Sequence, residues 1–171
     1  MSDTVLLIDT TLFLHGNAHV TNRNDVEVWI PQEVIDEVKS KISRLRMEQV
    51  LNADQVQIRS ALPEAMKKAE DDARTTGDLG NLSRADIGLI ALANEAIRIG
   101  FDPIVYTDDY SIQNVLKYQK IKFKSTTNDG IQKLIKWIYV CQACGAKFQK
   151  PQQNDECKEC GTAGLISKKR A

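Results

Sequence analysis

Val5-Leu6-Leu7-Ile8-Asp9 is an unbroken apolar run that stops on an acid. Such a run suits a strand buried on both faces of a parallel sheet. A second run, Pro103-Ile104-Val105-Tyr106-Thr107, ends the same way, on Asp108-Asp109. Between the two, Val26-Glu27-Val28-Trp29-Ile30 reads as an extended piece closed by Pro31, a residue suited to the first position of a helix. Val34, Ile35, Val38, Ile42 and Leu45 continue at helical spacing, so one helix is expected there. Gln55-Val56-Gln57-Ile58-Arg59 alternates as a strand does, and a polar helix is expected over residues 63–74. Thr76-Gly77-Asp78-Leu79-Gly80-Asn81 breaks the pattern as a loop. Ser83 caps the clearest helix, with Ile87, Ile90, Ala91, Asn94 and Ile97 on one stripe and Gly100 as its stop. A helix from about Tyr110 to Tyr118 leads into Ile121-Lys122-Phe123-Lys124, an edge-strand pattern. This alternation predicts an α/β fold, a mostly parallel sheet flanked by helices on both faces.

The remainder is of a different kind. All four cysteines stand in Cys141-Gln142-Ala143-Cys144 and Cys157-Lys158-Glu159-Cys160, with twelve residues between the knuckles. Two such knuckles can close four thiolates around one tetrahedral ion, at about 2.3 Å each. Gly145 and Gly161 follow them where a tight turn calls for positive φ. A disulfide pair is the competing reading. No leader pattern precedes residue 5, which favours a reducing, cytoplasmic setting and therefore one structural zinc. Four thiolates leave no open position for water, so this ion would not be catalytic. The expected organisation is an α/β domain over residues 1–128, a linker over 129–137, and a zinc ribbon with a basic tail over 138–171.

Charge divides along the same line. Residues 1–114 carry 11 Lys and Arg against 19 Asp and Glu, whereas residues 115–171 carry 12 against 4. A net of −8 followed by +8 suggests one end that holds cations and another that meets a polyanion. No stretch is long and apolar enough to cross a bilayer, so no membrane partner is expected.

Open parallel sheets place ligand sites at the carboxyl ends of their strands. Asp9, Asp108 and Asp109 lie at such ends. Asp86 sits in the first turn of the Ser83-capped helix, and Glu37 lies further along the helix after Pro31. Clustered carboxylates would hold hard divalent ions such as Mg²⁺ or Mn²⁺, and those ions can activate water against a phosphodiester. Each acid also has a plainer role. Asp86 fits a capping box with Ser83, Glu33, Asp36 and Glu37 complement a helix dipole, and Asp9 and Asp109 suit turns.

Taken in order, Val5-Leu6-Leu7-Ile8-Asp9-Thr10, Val34-Ile35-Asp36-Glu37-Val38, Leu82-Ser83-Arg84-Ala85-Asp86 and Val105-Tyr106-Thr107-Asp108-Asp109-Tyr110 resemble the four acidic motifs of PIN-domain nucleases. With the four-cysteine ribbon, the chain as a whole is similar to the archaeal Nin-one-binding protein family, endonucleases that mature the 3′ end of small-subunit ribosomal RNA. The resemblance implies that Asp9, Glu37, Asp86 and the Asp108-Asp109 pair form the catalytic set, with Asp9, Asp86 and Asp109 as Mg²⁺ or Mn²⁺ ligands. Thr10 would orient a ligand or water, and Asp108 would be a second ligand or an outer group. His15 and His19 are left out of the mechanism, since metal-bound water needs no such base. The implied partners are precursor small-subunit ribosomal RNA within a pre-ribosomal particle and an assembly factor, met by a monomer. Lysines of the second half, from Lys117 to Lys169, would supply phosphate affinity, and Tyr139 and Phe148 would stack on bases or pack beside the zinc. Other readings stand beside this one: a toxin-type endoribonuclease, a non-catalytic RNA-binding scaffold, and a DNA-directed nuclease.

Overall fold

The computed structural model describes residues 4–9, 26–52, 54–127, 129–149, 152, 154 and 156–163, and the backbone of 166–170. Thr10, His15 and His19 lie outside the described residues. Five strands, β1 (Thr4–Ile8), β2 (Glu27–Pro31), β3 (Val56–Arg59), β4 (Asp102–Tyr106) and β5 (Lys122–Lys124), form one sheet in the order β3-β2-β1-β4-β5. Every pairing in it is parallel. The chain steps from β1 outward to β3, then returns to the other side of β1 as β4. Strand order therefore reverses between β1 and β4, and a reversal of this kind opens a crevice beyond the strand ends.

The helices are α1 (Gln32–Glu37), α2 (Lys41–Leu51), α3 (Pro63–Thr76), α4 (Arg84–Arg98) and α5 (Tyr110–Gln119), with a 3₁₀ turn at Leu79–Asn81. Side chains alternate across β1. Val5 and Leu7 join Trp29, Val105 and the buried faces of α3, α4 and α5. Leu6 and Ile8 join Val28, Ile30, Val34, Met47 and Val50 on the opposite face. Ala65, Ala69 and Ala73 lie at four-residue spacing and let α3 approach α4 closely. The parallel α/β sheet with helices on both faces is as the sequence predicts.

One expectation fails. The helix after Pro31 does not run through Leu45. It ends at Glu37, Val38 turns extended (φ −72°, ψ 99°), and Ser40 begins a new helix by accepting a hydrogen bond from the Ser43 N–H at 3.2 Å. A serine cap competes with helix continuation. Ile42 and Leu45, which made the helical stripe look continuous, are 64% and 55% exposed.

The C-terminal module is a separate antiparallel sheet of β6 (Trp137–Cys141), β7 (Lys147–Phe148) and β8 (Ile166–Arg170), in the order β7-β6-β8. Between β5 and β6, residues 129–136 form neither helix nor strand. Among the described residues no helix is long and apolar enough to cross a membrane.

Candidate active site and metal centre

The reversal between β1 and β4 brings three acids into one electrostatic field. Asp9 follows β1, is 4% exposed, and its backbone N–H donates to the Tyr106 carbonyl at 3.2 Å. Thr107, directly after β4, donates from Oγ1 to Asp9 Oδ2 at 2.7 Å and accepts at Oγ1 from the Asp109 N–H at 3.1 Å. One hydroxyl thus joins the ends of both central strands. Asp109 caps α5, its Oδ1 accepting from the N–H groups of Ser111 at 2.6 Å and Ile112 at 3.3 Å. That leaves its Oδ2 without a hydrogen bond among the described residues.

Asp86 enters from α4. It completes a capping box: Asp86 N–H donates to Ser83 Oγ at 3.2 Å, and Ser83 N–H donates to Asp86 Oδ2 at 2.7 Å. The capping role read from sequence is therefore real and takes up one carboxylate oxygen. Burial pushes the Asp86 carboxyl up to about 6 against the lowering pull of Ser83, and the charges of Asp9 and Asp109 add to the rise. Among the described residues no cation is ion-paired with Asp86 or Asp109. Crowded carboxylates in such a setting suit a hard divalent cation, which restores charge balance and takes oxygen ligands. Oxygen-only donors are the ligand chemistry of Mg²⁺ or Mn²⁺, although among the described residues only the four cysteines, and not these three acids, stand within ligand distance of one another.

Asp108 is not brought into this group. Its Oδ1 accepts from Ser125 Oγ, from the Thr126 N–H at 2.8 Å and from the Thr127 N–H at 3.1 Å, and its Oδ2 accepts from Thr126 Oγ1 at 2.5 Å. Although burial works against it, the bonds from Ser125, Thr126 and Thr127 hold this carboxyl well below the usual carboxylate range. Its evident work is to anchor residues 125–127. Glu37 ends α1 as an exposed side chain and makes no hydrogen bond to the three clustered acids. Glu33, one turn earlier on the same helix, is the inward acid. Its Oε2 is buried with no hydrogen-bond partner among the described residues, and a Cβ at Gly88 of α4 would stand 3.2 Å from it.

Thr107 escaped the sequence reading as a functional residue. A signal was available, since a threonine two residues before an acid readily bonds that residue's backbone N–H.

In the metal-free protein Asp86 also sets a pH dependence. Folded, it keeps its proton to about pH 6; its ordinary value is 3.8. Between those values the folded state binds more protons than the unfolded one, so stability falls as pH rises. We expect a loss on the order of 1–2 kcal/mol from pH 4 to 6.5 after solvent screening of this half-buried group. Urea unfolding in buffer free of Mn²⁺ and Mg²⁺ measures it, and Asp86→Asn should flatten the trend.

The four cysteines form the other centre. All are free of disulfides, and their Sγ atoms lie within 4.8 Å of one another. Cys141 and Cys160 are 3.7 Å apart, as are Cys144 and Cys157. A tetrahedron with bonds of about 2.3 Å has edges of about 3.8 Å, so the spacing fits zinc. The knuckles match: Gly145 N–H donates to Cys141 O at 2.9 Å and Gly161 N–H to Cys157 O at 2.8 Å, with φ of +74° and +71°. The positive φ expected at both glycines is present. Thr162, through its hydroxyl and then its backbone N–H, holds the Cys160 thiol down to about 6. Against the lowering pull of the Ala146 N–H, Cys160, burial, Cys157 and Cys141 push Cys144 up to about 12. Four sulfurs packed this closely become thiolates together only around a cation.

Comparison with known proteins agrees with this geometry. Residues 6–96 match the family model described as the PIN domain of ribonuclease. The chain is 34% identical over 157 residues to the endoribonuclease Nob1 of Pyrococcus abyssi, covering 92% of this chain and 89% of that protein. It is 32% identical to endoribonuclease Nob1 of Archaeoglobus fulgidus, covering 95% and 90% respectively. Ribonuclease VapC1 of Thermoplasma acidophilum is 33% identical, over 92% of this chain and 75% of its own length. The β1–β4 crevice, the four-cysteine cluster and these similarities agree, and the chain belongs to the Nob1 family of PIN-domain endoribonucleases.

Proposed function

We propose that this chain is a divalent-metal-dependent endoribonuclease that cuts precursor small-subunit ribosomal RNA at its 3′ end within a pre-ribosomal particle. The observation that carries the reading is the convergence of Asp9, Asp86 and Asp109 at the strand-order reversal, with Asp86 pushed up to about 6. Asp9 and Asp109 would hold Mn²⁺ or Mg²⁺, with Asp86 completing the set and Glu37, exposed at the end of α1, reaching it only through water. When bound, the ion supplies an acidified water and a Lewis acid for the phosphodiester. Thr107 holds the Asp9 carboxylate in place, and Ser83 does the same for Asp86. Hydrolysis leaves a 3′-hydroxyl on the upstream product. The zinc-folded module contributes lysines and a fixed surface for a structured part of the RNA, and the single-stranded end meets the acids. Four thiol ligands fit a reducing cytoplasm.

The match to a VapC ribonuclease supports a second reading, an endoribonuclease indifferent to ribosomal sequence. A labelled RNA spanning the small-subunit 3′ end, run beside an unrelated RNA of equal length, separates the two. One cut at the mature end with the unrelated RNA intact is the expected result. Equal cleavage of both RNAs would favour the second reading, and binding without cleavage the scaffold.

A further inference from the structure

Residues 129–136 join the two modules, and three buried polar side chains of the nuclease domain grip them together with Trp137, the first residue of β6. Asp78, fully buried, accepts at Oδ1 from Trp137 Nε1 at 2.6 Å and at Oδ2 from Asn114 Nδ2 at 2.7 Å. Asn114 pairs with Ile135 as a neighbouring strand would. Its Oδ1 accepts the Ile135 N–H at 2.7 Å, and its Nδ2 donates to the Ile135 carbonyl at 3.0 Å. Gln113 accepts the Ile131 N–H at Oε1, at 2.9 Å. Ile131 and Ile135 are themselves buried, at 6% and 5% exposure. A segment with this many buried bonds is a strut, since breaking any one strands a buried polar group.

Gln113 does more than grip. Its Nε2 donates to the Thr107 carbonyl at 2.9 Å. The amide has one orientation only, because a backbone N–H lies on one side and a backbone carbonyl on the other. Gln113 is entirely buried, so no water can replace either bond. Thr107 in turn carries the hydroxyl that bonds both Asp9 and the Asp109 N–H. Gly130 (φ +64°) closes the arrangement, for a Cβ there would meet Gln113 Oε1 at 3.2 Å and Phe123 Cε2 at 3.4 Å.

We propose that Gln113 is a positioning residue of the acidic site, its single amide tying the docked 129–137 segment to Thr107 and so to the placement of Asp9 and Asp109. The docked linker and the acids are then mechanically one unit. The proposal rests on the ribonuclease reading for its purpose, and on geometry alone for its test.

Amide hydrogen exchange of the full, zinc-loaded chain, without Mn²⁺, decides it. Gln113→Glu keeps an acceptor for the Ile131 N–H and, in its ionised form, removes the donor to Thr107, so exchange is read on the alkaline side of its titration, which burial raises. Its Ile131 amide should stay protected, whereas the Asp109 amide should exchange about five- to ten-fold faster, the factor set by one hydrogen bond. Mn²⁺ affinity, read by electron paramagnetic resonance, should weaken about ten-fold, as for other outer partners of metal ligands. Gly130→Ala pushes on Gln113 from the linker side and should also speed Asp109 exchange with zinc retained. Unchanged Asp109 exchange in Gln113→Glu overturns the proposal, and unchanged exchange in Gly130→Ala overturns the link to the strut. If Gln113→Glu does not fold, Gly130→Ala decides alone. Wild type that cleaves no RNA would sink the ribonuclease reading and leave the exchange comparison standing.

Discussion

Cys157→Ser is expected to lose the zinc and unfold the chain from β6 onward while the five-stranded domain keeps its own transition. Cys157 is 1% exposed and sits 3.7 Å from Cys144, at the centre of the knuckle pair. The module's sheet is three short strands, one of only two residues, with little buried apolar surface around Cys141 and Cys157. A unit that small does not pay its conformational entropy from a core. Structural zinc contributes on the order of 10 kcal/mol or more to such folding, and a serine hydroxyl does not replace a thiolate. Zinc content should drop from one ion per chain to none. Exchange protection of the Ile138–Cys141 amides should vanish, while that of β1 and β4 persists. Retained zinc, or loss of protection across the whole chain, would show the module is built differently.

Asp109→Asn should have opposite effects with and without metal. Asparagine is as good a helix cap as aspartate, so α5 keeps its start. Removing one charge from the cluster relieves Asp86, whose carboxyl Asp109 helps push upward. Without Mn²⁺ the variant should therefore melt at or slightly above wild type, since Asp109 is the smallest of the causes that raise Asp86. With Mn²⁺ at about 100 times its dissociation constant, wild type should gain about 2.7 kcal/mol and overtake it. The variant should gain almost nothing. A variant less stable in both conditions would mean that Asp109 serves α5 alone.

Much of this was legible in the sequence because it is local. The apolar runs ending on Asp9 and Asp108-Asp109, the Ser83 cap and the Cys-x-x-Cys spacing are each read within a few residues. What sequence reading missed depends on contacts across the chain. Whether Asp108 or Asp109 faces the site is decided by Ser125, Thr126 and Thr127, which claim Asp108 from another strand's end. That Glu33 points inward follows from α4 presenting Gly88 there, and no pattern within α1 could show it. The helical stripe from Val34 to Leu45 misled because Ser40 caps locally, and spacing alone does not register a cap. Thr76-Gly77-Asp78 and the stretch from Thr107 to Asn114 resemble the family closely, yet nothing local says what Asp78, Gln113 and Asn114 bond. Their partners Ile131, Ile135 and Trp137 are 18 to 59 positions away.

The most direct test of the acidic site is cleavage of the labelled small-subunit 3′-end RNA by wild type and Asp9→Asn, with Mn²⁺ and with EDTA. Asparagine at position 9 can still accept the Thr107 hydroxyl at Oδ1, so that bond is kept while the charge is lost. Wild type with Mn²⁺ should cut. The variant should lose at least about 100-fold, the upper range for merely outer groups, and EDTA should abolish the cut in wild type. Cleavage by Asp9→Asn at the wild-type rate would contradict the account.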